Sequence, residues 1–213
     1  MSNDFEMGQQ VAQYLLQIKA VVLKPNDPFT WASGWKSPIY CDNRLVLSYP
    51  DIRNAVADAF AAQIKENYPN AKSISGVATG GIAQGALVAE KLGLPMTYVR
   101  SSAKGHGRQN QVEGVVNPGE ETVVIEDLIS TGGSSLKAVD ALREAGANVA
   151  GLVAIFTYGF QKSIDAFSEA KVPFSTLTNY SLLIEEAQKL GYVTAEQVES
   201  LNEWRKAPDQ WEG

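Results

Sequence analysis

The chain has 213 residues, enough for one sizeable α/β domain with small appendages, and its 45% hydrophobic and 20% charged residues suit a globular protein in water. A net charge of −6 excludes a surface that holds nucleic acid by phosphate neutralisation alone, so any anionic ligand needs a local basic cluster. A single cysteine, Cys41, excludes an intramolecular disulfide, and the lack of a long apolar run excludes a membrane-spanning helix, so a cytoplasmic protein is expected.

The first residues, MSNDFEMGQQVAQYLLQIKA, carry acids early and lack the basic start and apolar run of a signal peptide. Within Phe5 to Val22 the apolar positions Val11, Tyr14, Leu15 and Ile18 recur at helical spacing. Pro25, Pro28, Gly34 and Pro38 then break the chain into turns and short extended pieces. A helix is predicted from Ser48 onward, with Ile52, Val56, Ala59, Phe60 and Ile64 on one face. Ser73 to Ala78 reads as a strand, Ile82 to Leu92 as a helix stopped by Gly93, and Pro95 to Val99 as a second strand. Thr122 to Ile125 is a third strand, Ser134 to Ala145 a helix ended by Gly146, and Val149 to Thr157 a fourth strand, apolar nearly throughout. Thr194 and Gln197 fit a capping box that opens a last helix running to Trp204. Alternating strands and helices imply an α/β fold with a parallel sheet flanked by helices. One domain over residues 1–213 is predicted, with about residues 1–45 packed on it as a small hood together with the C-terminal piece.

Ligands of such sheets bind beyond the carboxyl ends of the strands. Three loops occupy those positions: Thr79 to Gly81, Arg100 to Glu121, and Glu126 to Ser134. In the third, an apolar strand runs into Glu126 and Asp127, then through Leu128, Ile129 and Ser130 into Thr131, Gly132, Gly133 and Ser134. Small residues let backbone amides converge on a phosphate at a helix N-terminus. Two carboxylates beside that phosphate suit a ribose diol, whose hydroxyls need acceptors. Neither the P-loop pattern nor Gly-x-Gly-x-x-Gly occurs. The plainer alternative is a strand-to-helix turn with a Ser/Thr N-cap. The second loop, RSSAKGHGRQNQV, holds Arg100, Lys104, Arg108 and the only histidine, His106, with no acid before Glu113. Its plainer alternative is a solvated surface loop.

The run VVIEDLISTGGSS resembles the phosphoribosyl pyrophosphate signature of type I phosphoribosyltransferases. Arg100, Lys104 and His106 are similar to the catalytic loop of the orotate phosphoribosyltransferases in that family, and PFTWASGWKSPIYCDNRLVLSYP, GVATGGIAQGALVAE and FTYGFQKS are similar to their base-side and pyrophosphate-side segments. The resemblance covers most of residues 25–160. It implies that Glu126 and Asp127 hold the ribose and Ser130 to Ser134 the 5-phosphate, while Arg100, Lys104 and His106 act on the pyrophosphate from a loop that reaches the partner subunit of a homodimer. It places Ser130 against orotate. A flat ring also needs an aromatic wall, for which Tyr40, Trp31 and Phe160 are candidates, and Lys36 and Arg44 are candidate charge partners for its polar edges; the plainer alternative for Trp31, Trp35 and Tyr40 is core or subunit packing. The resemblance also implies magnesium held mainly by substrate and water. Well-known members carry lysine where this chain has Ala32, Gly80 and Ser101, and arginine where it has Tyr158. Two other readings stay open: transfer to another base, and a regulator that senses phosphoribosyl pyrophosphate and binds nucleic acid. The regulator requires a basic docking face or an added DNA-binding segment, and this acidic chain supplies neither.

Overall fold

A computed structural model describes residues 3–31, 34–102 and 111–211 of the chain. Helix α1 (Asn3–Gln17) leads into β1 (Val21–Leu23), β2 (Phe29–Thr30), β3 (Lys36–Ser37) and β4 (Ile39–Cys41), followed by a 3-10 helix (Asn43–Ser48) and α2 (Pro50–Asn67). The periodic pattern from Phe5 to Val22 is therefore helical only to Gln17. Lys19 turns out with φ 57°, and Val21 to Leu23 pair antiparallel with Cys41 to Ile39. These apolar, largely β-branched residues pack better on a pleated ribbon than in another helical turn.

The remaining elements alternate: β5 (Ser73–Val77), α3 (Gly80–Leu92), β6 (Met96–Val99), β7 (Val112–Glu113), β8 (Glu121–Ile129), α4 (Gly133–Glu144), β9 (Asn148–Thr157), α5 (Gln161–Glu169), β10 (Phe174–Asn179), α6 (Tyr180–Lys189) and α7 (Ala195–Lys206). The sheet order is β10-β9-β8-β5-β6-β7, parallel except for the short edge strand β7. This is the predicted α/β architecture.

Both sheet faces are covered, as the apolar runs of β8 and β9 require. Val123, Ile125, Val153 and Ile155 pack with residues of α1, α2, α3 and α6. Val124, Leu152 and Ala154 pack with α4 and with Phe167 of α5. Above the carboxyl ends of the strands, β1 to β4 and the C-terminal helix meet at Trp204. Its ring lies 5.6 Å from Trp31 and 5.7 Å from Tyr158, and its indole N–H donates to the Lys36 carbonyl at 3.2 Å. No helix of the described residues is long and apolar enough to cross a membrane.

Strand β8 runs four residues past its predicted end at Ile125 and takes in both acids. Its neighbour β9 is long enough to pair with this extension: Glu126 lies opposite Ala154, Leu128 opposite Phe156 and Ile129 opposite Thr157. Local composition carries no signal of that pairing, because the partner is more than twenty residues away.

Candidate active site

Extended backbone sends neighbouring side chains to opposite faces, and this rule separates the two acids. Glu126 turns toward α4, where Oε2 accepts from the Ser135 hydroxyl at 3.0 Å and Oε1 accepts from the Asp127 N–H at 3.0 Å. Asp127 turns toward α3, so that a methyl group added at Gly80 would overlap its carboxyl. In this chain the Asp127 carboxyl occupies the space that a side chain at Gly80 would enter. The Asp127 carbonyl accepts from the Asn43 amide at 2.7 Å, which ties the acidic strand end to the 3-10 helix.

Glu126 is only 4% exposed. Burial, then the hydrogen bond and negative charge of Asp127, push its pKa up to about 9. The ligand-free site therefore holds Glu126 neutral near pH 7, with burial opposing the charged form until cationic or hydroxyl partners arrive.

The loop after β8 is fastened at its start. Thr157 donates its hydroxyl to the Ile129 carbonyl at 3.2 Å, and the Gly159 N–H donates to the Thr157 hydroxyl at 3.0 Å. Gly132 then takes φ +83°, with Phe167 only 2.9 Å from where a Cβ would stand, so both backbone and space call for glycine. Gly132 is also the N-cap of α4 and gives no side-chain cap. The alternative of a Ser/Thr-capped turn is thus not what this loop adopts. The first amides of α4 are left for a ligand, at the positive end of the helix. Thr79 likewise caps α3 without a side-chain hydrogen bond.

These parts surround one cavity of about 450 Å³, lined by Glu126, Asp127, Leu128 and Ser130 to Ser134, by Ala78 to Gly80, and by Cys41, Asp42 and Arg44. Arg44 donates to Asp42 at 2.7 and 2.9 Å. Cys41 donates its thiol to Asn43 Oδ1 at 3.2 Å, and burial, reinforced by Asp127, keeps that thiol protonated. A second cavity, also about 450 Å³, adjoins the first through Cys41, Leu128 and Ser130. Its other walls are Phe29, Thr30, Trp31, Tyr40 and Tyr158, a mostly aromatic lining that suits a flat ring. A polar cavity and an aromatic one thus share an edge.

The predicted residues fall as follows. Glu126, Asp127, Leu128, Ser130, Thr131, Gly132, Gly133 and Ser134 line the polar cavity, whereas the Ile129 side chain is fully buried in the core beneath it. Ser130 also lines the aromatic cavity, with Tyr40 and Trp31. Lys36 is exposed on β3 and donates its ammonium to the Thr30 hydroxyl at 3.2 Å, at the rim of that cavity. Phe160 is not among the lining residues; its ring stacks behind Tyr158 at 5.3 Å. Arg100 follows β6 and lines a separate, smaller cavity. Lys104, His106 and Arg108 lie outside the described residues, as does Ala32.

Sequence reasoning missed Asp42, Asn43 and the wall made by Tyr158. Asp42 and Asn43 sit in a turn-like run, CDNR, whose polarity is what any surface loop shows. Tyr158 was noted only as the place of a missing arginine. The signal available for it was its position directly after an apolar strand that ends at the ligand side of the sheet.

A parallel sheet with two acids and an open helix N-terminus at its central strand ends defines a phosphoribosyltransferase, and the phosphoribosyl transferase domain family matches residues 48–180. Over 205 residues the chain is 56% identical to the orotate phosphoribosyltransferase of Porphyromonas gingivalis, covering 96% of this chain and 98% of that one. The crystal structure of orotate phosphoribosyltransferase from Aeropyrum pernix matches it with a TM-score of 0.75 at 28% identity, covering 86% of this chain and 99% of that one. Leishmania donovani UMP synthase matches with a TM-score of 0.79 at 25% identity; this chain spans 42% of that longer protein, which covers 93% of it. The chain belongs to the orotate phosphoribosyltransferase family.

Proposed function

We propose that the protein transfers the phosphoribosyl group of phosphoribosyl pyrophosphate to orotate, giving orotidine 5-monophosphate and pyrophosphate in pyrimidine synthesis. The observation that carries this reading is the shared edge of the two cavities at Cys41, Leu128 and Ser130. The donor's ribose and 5-phosphate fit the polar cavity, the base fits the aromatic one, and the anomeric carbon falls where they meet.

In the reaction the base nitrogen forms its bond to the anomeric carbon while the bond to pyrophosphate breaks, and the electron pair of that bond leaves with the pyrophosphate. The proton of the base nitrogen is released. Charge builds up positive on the ribose and negative on the leaving group, so the protein's work is positioning and electrostatic. Asp127 and Glu126 accept from the ribose hydroxyls. The free amides of Gly133 and Ser134 and the hydroxyls of Ser130, Thr131 and Ser134 hold the 5-phosphate. Tyr40 and Trp31 flank the base, and Ser130 and Lys36 supply its polar contacts. Arg100 acts on the pyrophosphate side from the end of β6, and Lys104 and His106 act there from a loop that reaches the site of a partner subunit.

Magnesium fits this donor set as an ion bound largely through the substrate. No group of three potential ligand side chains gathers among the described residues, while the Asp127 carboxyl lines the cavity where ribose and pyrophosphate oxygens would bring the ion. When bound, magnesium neutralises charge on the departing pyrophosphate. A cytoplasmic location agrees with one free cysteine. Product analysis tests the proposal: incubation with orotate, phosphoribosyl pyrophosphate and magnesium should yield orotidine 5-monophosphate, and a mixture that returns only starting materials would overturn it.

A further inference from the structure

A smaller cavity, about 200 Å³, opens beside the polar one and shares Ala78 and Ser134 with it. Among its walls are Arg100, Ser101, Gln111 and Lys137; the charged lining is two cations and no acid, in a chain of net charge −6. Lys137 stands three residues after Ser134 on α4, so the two share a helix face. No carboxylate of the described residues pairs with its ammonium. Arg100 forms a long ion pair with Glu113, 3.7 Å from Nη1 to the carboxylate, and that nitrogen is buried and has no hydrogen-bond acceptor among the described residues. With Lys137 unpaired among the described residues and Arg100 held by one long ion pair, and with no acid in its lining, the cavity keeps a positive field, and its walls offer hydroxyl and amide donors as well.

We infer that Lys137, together with Arg100, forms an anion subsite that receives the pyrophosphate of the donor, and that Lys137 supplies a cation which this chain lacks at Gly80 and Ser101. The inference rests on the donor reading above. It follows from placement: the subsite adjoins the polar cavity on the side of Ala78, between the carboxyl ends of β5 and β6 and the first turns of α4. A donor whose 5-phosphate lies on the first amides of α4 can direct its second anionic group across Ala78 into this recess. There an ammonium makes charge-assisted hydrogen bonds that strengthen as the leaving group gains charge.

Calorimetric titration of inorganic pyrophosphate into the full-length protein tests this without any base present. Lys137 is exposed, so its replacement leaves the fold intact, which an unchanged melting temperature verifies. Lys137→Ala and Lys137→Gln should each weaken pyrophosphate binding by about tenfold or more, the scale of one lost charge-assisted hydrogen bond, while Lys137→Arg keeps most of it. In turnover assays KM for the donor should rise with KM for orotate unchanged. Wild-type pyrophosphate affinity in the Ala and Gln variants would overturn the inference, as would a rise confined to KM for orotate. Failure to make orotidine 5-monophosphate, with pyrophosphate binding still dependent on Lys137, would remove the orotate reading and leave the subsite standing.

Discussion

At Glu126 and Gly80, single positions decide how the polar cavity is built. The folded protein holds the Glu126 pKa at about 9, whereas an unfolded glutamate titrates near ~4.3. Between those values the folded chain keeps a proton that the unfolded chain has lost. The stability this group contributes is therefore complete below the unfolded pKa and is lost as pH rises through the folded one. Glu126→Gln, which cannot lose a proton, should flatten the fall in melting temperature of the ligand-free protein between about pH 5 and about pH 9; an identical fall in both proteins would show that Glu126 is not held neutral. Gly80 makes a steric statement instead. A methyl there meets the Asp127 carboxyl, so Gly80→Ala should move that carboxyl off the ribose and lower turnover by about a hundredfold, as misplacement by an ångström can. Steady-state kinetics decide this, and wild-type turnover in Gly80→Ala would refute the packing argument.

Among the elements, helix ends carry the contrast between scaffold and site. Helix α7 opens on a complete capping box, with the Gln197 N–H donating to the Thr194 hydroxyl at 3.3 Å and the Thr194 N–H donating to the Gln197 side chain at 2.9 Å. Thr194→Ala should cost about 1 kcal/mol, seen as a melting temperature roughly 2–4 °C lower for a chain of this size. Catalysis should be untouched, and a kinetic change without a stability change would mean that α7 acts on the site directly. That box was legible because both partners lie within four residues. So were the strands β5, β6 and β9 and the helices between them, whose apolar spacing is local. The continuation of β8 through Glu126 and Asp127 was not legible, since it depends on pairing with β9. Strand β10 was hidden too: Ser175, Thr176 and Thr178 dilute its apolar signal, and its place in the sheet comes from pairing with Leu152 to Thr157. For the site, the small-residue run and the acids stood out in sequence because no scaffold needs them there. Asp42, Lys137 and Tyr158 join the cavities only through the fold, each from a stretch that reads as ordinary loop, helix or strand end.

In the whole molecule, the sheet brings the donor loop to the middle of its ligand edge, and the N-terminal ribbons with α7 close the base side around Trp204. Neither half alone has both cavities, because Cys41 comes from the ribbons while Leu128 and Ser130 come from β8 and its loop. In the homodimer proposed above, Lys104 and His106 of the partner subunit would complete each site. Mixing Lys104→Ala subunits with Asp127→Asn subunits should restore activity that both parents lack, since a hybrid keeps one intact site; verified hybrids as inactive as their parents would count against shared sites. The central claim, transfer to orotate itself, is met most directly by following orotate absorbance and pyrophosphate release together after adding phosphoribosyl pyrophosphate and magnesium, with uracil, hypoxanthine and adenine in parallel. The account predicts one pyrophosphate released for each orotate consumed and none with the other bases. Consumption of another base with orotate left untouched would contradict it.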